Sequence, residues 1–166
     1  MSVIRIEDIA HVRYAAPDLQ AMREFLADFG METFEQAGRL YGKGSDGRPF
    51  LHVTEPGEAR FLALGLRAES LADLEALAAH EGVPVEPLAE PGGGSVVRLI
   101  DPDGYRVEVV AGQAKAEPSQ PFADQPFNTA TAKPRLRQMV RLDPAPAHVR
   151  RIGHAVLKVS DFRRSE

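Results

Sequence analysis

The chain has no cysteine among its 166 residues. That excludes disulfides, a thiolate zinc site and a cysteine nucleophile. No apolar run approaches the roughly 20 residues a membrane span needs. The opening MSVIRIEDIA carries Arg5, Glu7 and Asp8 where a secretory signal would need an apolar core. A cytoplasmic protein without membrane contact is the expectation. What is present, 43% hydrophobic and 27% charged residues, suffices for a globular domain with a real core. The net charge of −4 is unevenly spread. From Lys133 onward nine basic residues meet three acidic ones, so the preceding part carries a large acidic excess. A basic arm can signal nucleic acid. This one lacks clustered aromatics for stacking and holds Pro134, Pro144 and Pro146. It reads as a connector lying across an acidic domain, with no nucleic-acid partner.

One signature occurs at both ends of the chain. Ile9-Ala10-His11-Val12-Arg13-Tyr14 is followed by Asp18, seven residues after His11. Ile152-Gly153-His154-Ala155-Val156-Leu157 is followed by Asp161, seven residues after His154. Such self-similarity marks a repeated supersecondary unit. Residues 8–15 alternate as a strand does. A helix capped by Asp18 follows, with Leu19, Met22, Leu26 and Phe29 at helical spacing and Gly30 at its stop. Strands are expected near 31–36, 38–43 and 49–55, separated by Gly38 and by Gly44-Ser45-Asp46-Gly47. The pattern then repeats. It has a strand at 61–66, a helix from Ser70 to Gly82 and strands near 84–88, 95–101 and 105–111. Asp101-Pro102-Asp103-Gly104 forms the last turn. The predicted fold class is α+β, two βαβββ modules (8–56 and 60–112) pairing into a curved, open eight-stranded sheet with helices outside. Residues 1–112 form the domain. A proline-rich linker over 113–148 holds six of the thirteen prolines, docked through Phe122, Phe127, Leu136 and Met139. Residues 149–166 read as the first strand and helix start of a truncated second domain.

Paired βαβββ units, His11 on the first strand and Asp-Pro-Asp-Gly-Tyr-Arg-Val-Glu at 101–108 resemble the vicinal oxygen chelate superfamily. That superfamily includes glyoxalases, bleomycin-resistance proteins and type I extradiol ring-cleavage dioxygenases. The segment Gly153–Glu166 is similar to the opening of the catalytic domain in two-domain extradiol dioxygenases. The resemblance implies an oxidoreductase acting on catechol-type aromatic diols, with Fe(II) as cofactor and His154 as one metal ligand. The other ligands would lie further on, so this stretch by itself is expected to be inactive and its catalytic residues are not identified.

A glyoxalase-like ligand pattern falls on His11, His52 and Glu108, with Phe61 at the fourth position. Alternation within 49–55 and 105–111 predicts that these three, and Phe61, share the inner face. Two histidines and a glutamate are a recognised ligand inventory. Phenylalanine cannot ligate, however, so the four-ligand set is broken and the three read first as structural residues. Two other functions stay open beside the dioxygenase. One is a metal-free binding module of bleomycin-resistance type; the other is a metal lyase or isomerase using His11, His52 and Glu108. The expected partner is a small aromatic substrate. A homo-oligomer, a dimer formed by exchange of the strand at 149–160, is expected because an isolated strand seeks a sheet edge.

Overall fold

In the computed structural model, which describes residues 3–119 and 147–165, strand and helix order follows the repeat. The first module comprises β1 (Ile6–Ala16), α1 (Leu19–Asp28), β2 (Glu32–Gln36), β3 (Arg39–Lys43) and β4 (His52–Pro56). The second comprises β5 (Arg60–Ala68), α2 (Leu71–Glu81), β6 (Glu86–Pro87), β7 (Ser95–Ile100) and β8 (Arg106–Ala111). A four-residue helix, α3 (Phe162–Ser165), follows near the C-terminus.

Local chemistry sets the helix ends. The Asp18 carboxylate accepts from the Gln20 and Ala21 amides, both at 2.9 Å. Ser70 Oγ accepts from Asp73 N at 3.1 Å, and Gly82, with φ of 67°, ends α2 in the left-handed region. The modules join through antiparallel pairing of β1 with β5, giving the order β2-β3-β4-β1-β5-β8-β7-β6 in one sheet. One face, the helix face, packs on α1 and α2. There Leu74, Leu77 and Ala78 meet Val97, Val109 and Ala111. The other, inner face carries a small apolar cluster of Ala10, Leu88, Val96 and Val110 at one end. Phe34, Tyr41, Phe50 and Val53 form a second cluster towards the other. Charged residues fill the space between.

The linker expected over 113–148, with Phe122, Phe127, Leu136 and Met139, lies largely outside the described residues. Residues 149–160 were expected to form a strand, but they contribute no strand to the sheet. They run extended across the helix face of their own domain. Val149 exchanges backbone hydrogen bonds with Gly30 and Ser45 (3.2 and 3.1 Å). Arg151 pairs with Asp8 at 2.8 Å, and Ser160 N donates to Asp103 at 2.9 Å. The chain comes this close because Gly30 and Gly44 have no side chain. A Cβ on either would stand 2.0 Å from Ala147 O or 2.2 Å from Arg150 O. Extended backbone without a neighbouring strand has no ladder to join, whatever its alternation. No described helix is long and apolar enough to cross a membrane.

Candidate functional site

The two central strands bring His11, Arg13 and Glu108 together on the inner face. His11 pairs with Gly65 across β1 and β5, and Gly65 pairs with Glu108 across β5 and β8. The imidazole therefore crosses β5 over a residue without a side chain. A Cβ on Gly65 would lie 2.3 Å from His11 Nδ1. His11 Nε2 then reaches Glu108 Oε2 at 2.9 Å. Arg13, two residues along the same face, spreads its guanidinium over three carboxylates. Its Nη1 donates to Glu55 Oε1 at 2.7 Å, and its Nη2 to Glu90 Oε1 at 2.8 Å and to Glu108 Oε2 at 3.1 Å. Tyr41 O–H donates to Glu90 Oε2, and Arg39 Nη1 donates to Glu90 Oε1 at 3.1 Å. Arg98 and Arg106 approach the other Glu108 oxygen at 3.7 and 3.6 Å. His11 is 0%, Glu108 1% and Arg13 2% exposed, so this is a buried polyionic network rather than a surface patch.

The charge states follow from the neighbours. Burial pushes the Glu108 carboxyl up, but the His11 hydrogen bond and the Arg13 charge outweigh it and hold it down at about 2. Burial likewise works against the Arg13 cation, yet Glu108 and Glu90 raise its pKa above the ordinary guanidinium value. Glu90 stays below the usual carboxylate range, because hydrogen bonds from Tyr41 and Arg13 more than offset its desolvation. Tyr41 is pushed up to about 12 by burial and by the Glu90 carboxylate. Glu108 and Glu90 are thus ionised and countered.

His52 is elsewhere. It stacks on Tyr14 with ring centroids 5.4 Å apart, its Nε2 is 2.8 Å from Thr54 Oγ1, and its Cβ adjoins Gly42 opposite Leu26 of α1. These neighbours place it on the helix face. The expectation that His11, His52 and Glu108 share a face fails because β4 begins only at His52, after a bend at Leu51. Phe50 points inward, 5.0 Å from the His11 ring, but the bend breaks the alternation that would carry His52 with it. Phe61 is also on the helix face, packed edge-on against Tyr14 and Tyr105. Its register explains this: Arg13 pairs with Ala63 but Tyr14 with Phe61, so Leu62 is the extra residue of a β-bulge that turns Phe61 over. Burial alone lowers the His52 pKa to about 4, leaving a neutral imidazole.

His154 lies on the extended C-terminal segment, exposed, on the helix face. Residues 154–158 wall a cavity of about 390 Å³ against Val12, Tyr14, Phe61, Leu64 and Tyr105. The sheet thus separates His154 from the His11–Glu108 pair.

A divalent metal does not fit the His11, His52 and Glu108 set. His52 is on the wrong face. Glu108 is ionised, so its hydrogen bond with His11 takes the Nε2 proton, and the nitrogen facing Glu108 has no lone pair to offer. The Glu108 oxygen in question already accepts from Arg13, whose positive charge would repel a second cation. Among the described residues, no group of three or more His, Asp or Glu side chains is arranged to hold a metal ion. Buried charge fills this part of the inner face. Glu90 was not singled out from the sequence. Arg13 sits two residues beyond His11 on the same strand, a signal available in the alternation. Glu90 comes from the loop before β7, whose position only the Pro91-Gly92-Gly93-Gly94 run hinted at.

Comparison with solved structures supports the fold. The Mn(II)-bound glyoxalase from Novosphingobium aromaticivorans is 31% identical with a TM-score of 0.64; the match covers 73% of this chain and 44% of that one. Homoprotocatechuate 2,3-dioxygenase from Arthrobacter globiformis is 25% identical with a TM-score of 0.59, covering 68% and 38%. An extradiol ring-cleaving dioxygenase from B. fuscum is 21% identical with a TM-score of 0.60, covering 69% and 35%. The chain therefore spans less than half the length of each of these structures. No family model and no curated protein sequence matches it.

Proposed function

Since the chain has the vicinal oxygen chelate fold, we propose that it forms the N-terminal, metal-free half of a two-domain enzyme acting on a substrate with two adjacent oxygens. In the leading reading the substrate is a catechol-type aromatic diol, and the reaction is ring cleavage dependent on Fe(II). The observation that carries this is the completed charge network of Arg13 with Glu55, Glu90 and Glu108. An inner face already neutralised by its own residues serves as scaffold, and the chemistry falls to a second domain. His154 is assigned as the first metal ligand of that domain, from the strand signature at 152–157. The likeness to the extradiol dioxygenases supports the ring-cleavage reaction.

The 31% identity with the Mn(II)-bound glyoxalase favours a second reading of the same architecture. There the second domain would isomerise a thiol adduct of a 2-oxoaldehyde. Oxygen uptake with catechols and turnover of the thiol adduct, measured on the full natural gene product, separate the two. The proposal expects one metal ion per full-length protein, lost with His154→Ala, and neither metal nor activity in the 166-residue chain. Near-equimolar metal in that chain, lost with His11→Ala, would overturn it.

A further inference from the structure

We propose that the inner face is a cation site whose resident cation is the Arg13 guanidinium, and that this one side chain keeps a divalent ion out. Three carboxylate oxygens, from Glu55, Glu90 and Glu108, lie 2.7, 2.8 and 3.1 Å from the terminal nitrogens of Arg13. They come from β4, the loop before β7, and β8, so three separate elements converge on one positive group. His11 Nε2 donates to the same Glu108 oxygen and fixes its position. Glu108 and Glu90 are 1% and 7% exposed, so water cannot replace the guanidinium as their counter-charge without opening the site. Arg39, Arg98 and Arg106 also face these carboxylates, but each is about one-third exposed and sits at the rim. They relieve the outer oxygens and leave those facing Arg13 in need of a partner.

Removing the guanidinium would leave three carboxylate oxygens facing a vacated position. Mn(II) suits that donor set. This assignment needs only the network. It holds whether or not a second domain follows, and its failure would leave the two-domain reading standing.

The test is Mn(II) titration of the 166-residue chain by calorimetry and thermal unfolding, as wild type, Arg13→Ala and Arg13→Ala/Glu108→Gln. The expected result is no shift in unfolding temperature for wild type and a saturable one-site rise for Arg13→Ala. Affinity for Arg13→Ala should be at least about tenfold above that of both wild type and the double variant. A folded Arg13→Ala that ignores Mn(II) overturns the assignment. Equal binding by the double variant also overturns it, since the ion would then be held elsewhere. Should Arg13→Ala not fold unaided, refolding with Mn(II) becomes the readout. Recovery of a cooperative transition supports the assignment, and no recovery while Arg13→Lys folds overturns it.

Discussion

His11 and His52 lie on neighbouring strands and are both almost fully buried, at 0% and 7% exposed, yet the two faces of the sheet treat them oppositely. On the inner face His11 is bound into a network of ionised groups. Burial is tolerated there because each charge has a counter-charge within hydrogen-bonding distance. On the helix face His52 meets an aromatic ring, a hydroxyl and apolar side chains, and burial is tolerated because the imidazole stays neutral. One face keeps charge and pairs it; the other discharges it. The difference explains why two histidines with the same apparent promise as ligands do not form one site.

Breaking the inner face should have the largest effect. Arg13→Met leaves buried carboxylates without their shared cation, and loss of one partner in such a network costs about 3–5 kcal/mol. Urea unfolding at pH 7 should show that loss. The deficit should shrink near pH 4, because protonating the orphaned carboxylates relieves them.

Acid separates the faces further. The folded-state pKa of His52 is depressed from 6.5 to about 4. Its unfolded form therefore binds the extra proton first, and stability present above pH 6.5 is lost as pH falls towards 4, by roughly 3 kcal/mol. Glu108 is depressed from 4.5 to about 2, so its contribution is lost lower, between those two values, and is of similar order. His52→Leu should flatten the upper part of the pH–stability curve and leave the lower part intact. An unchanged slope between pH 6.5 and 4.5 in that variant would contradict the neutral His52.

Smaller effects sharpen the contrast. Gly65→Ala drives a methyl into the His11 ring and should destabilise by about 1–3 kcal/mol, as overpacking does. Its effect should diminish in a His11→Ala background, which a double-mutant cycle would reveal. Arg151→Ala removes an exposed pair with Asp8 that ties down the C-terminal segment and should cost less than about 1 kcal/mol.

Much of the fold was legible because its signals are local. Asp18, Ser70 and Gly82 each act within a turn or two of their own position, and the seven-residue spacing betrayed the repeat. That His11 and Glu108 share a face was legible too, because alternation holds from His11 to Arg13 in β1 and along β8. His52 and Phe61 escaped for one reason. A bend at Leu51 and an extra residue at Leu62 each invert a strand's facing, and composition carries no mark of either. The polyionic network was hidden differently. Glu90 lies on an irregular loop, and its meeting with Arg13, 77 residues away, is set by tertiary folding alone.

The central claim is that the inner face is complete in charge and takes no metal. Paramagnetic broadening by Mn(II) in amide spectra of the isotope-labelled chain tests it most directly, because it reports where an ion sits. The account predicts that amides of His11, Arg13, Gly65 and Glu108 keep their intensity in the presence of Mn(II), apart from the uniform losses shared by the whole chain. Selective loss of those four signals at stoichiometric Mn(II) would contradict it.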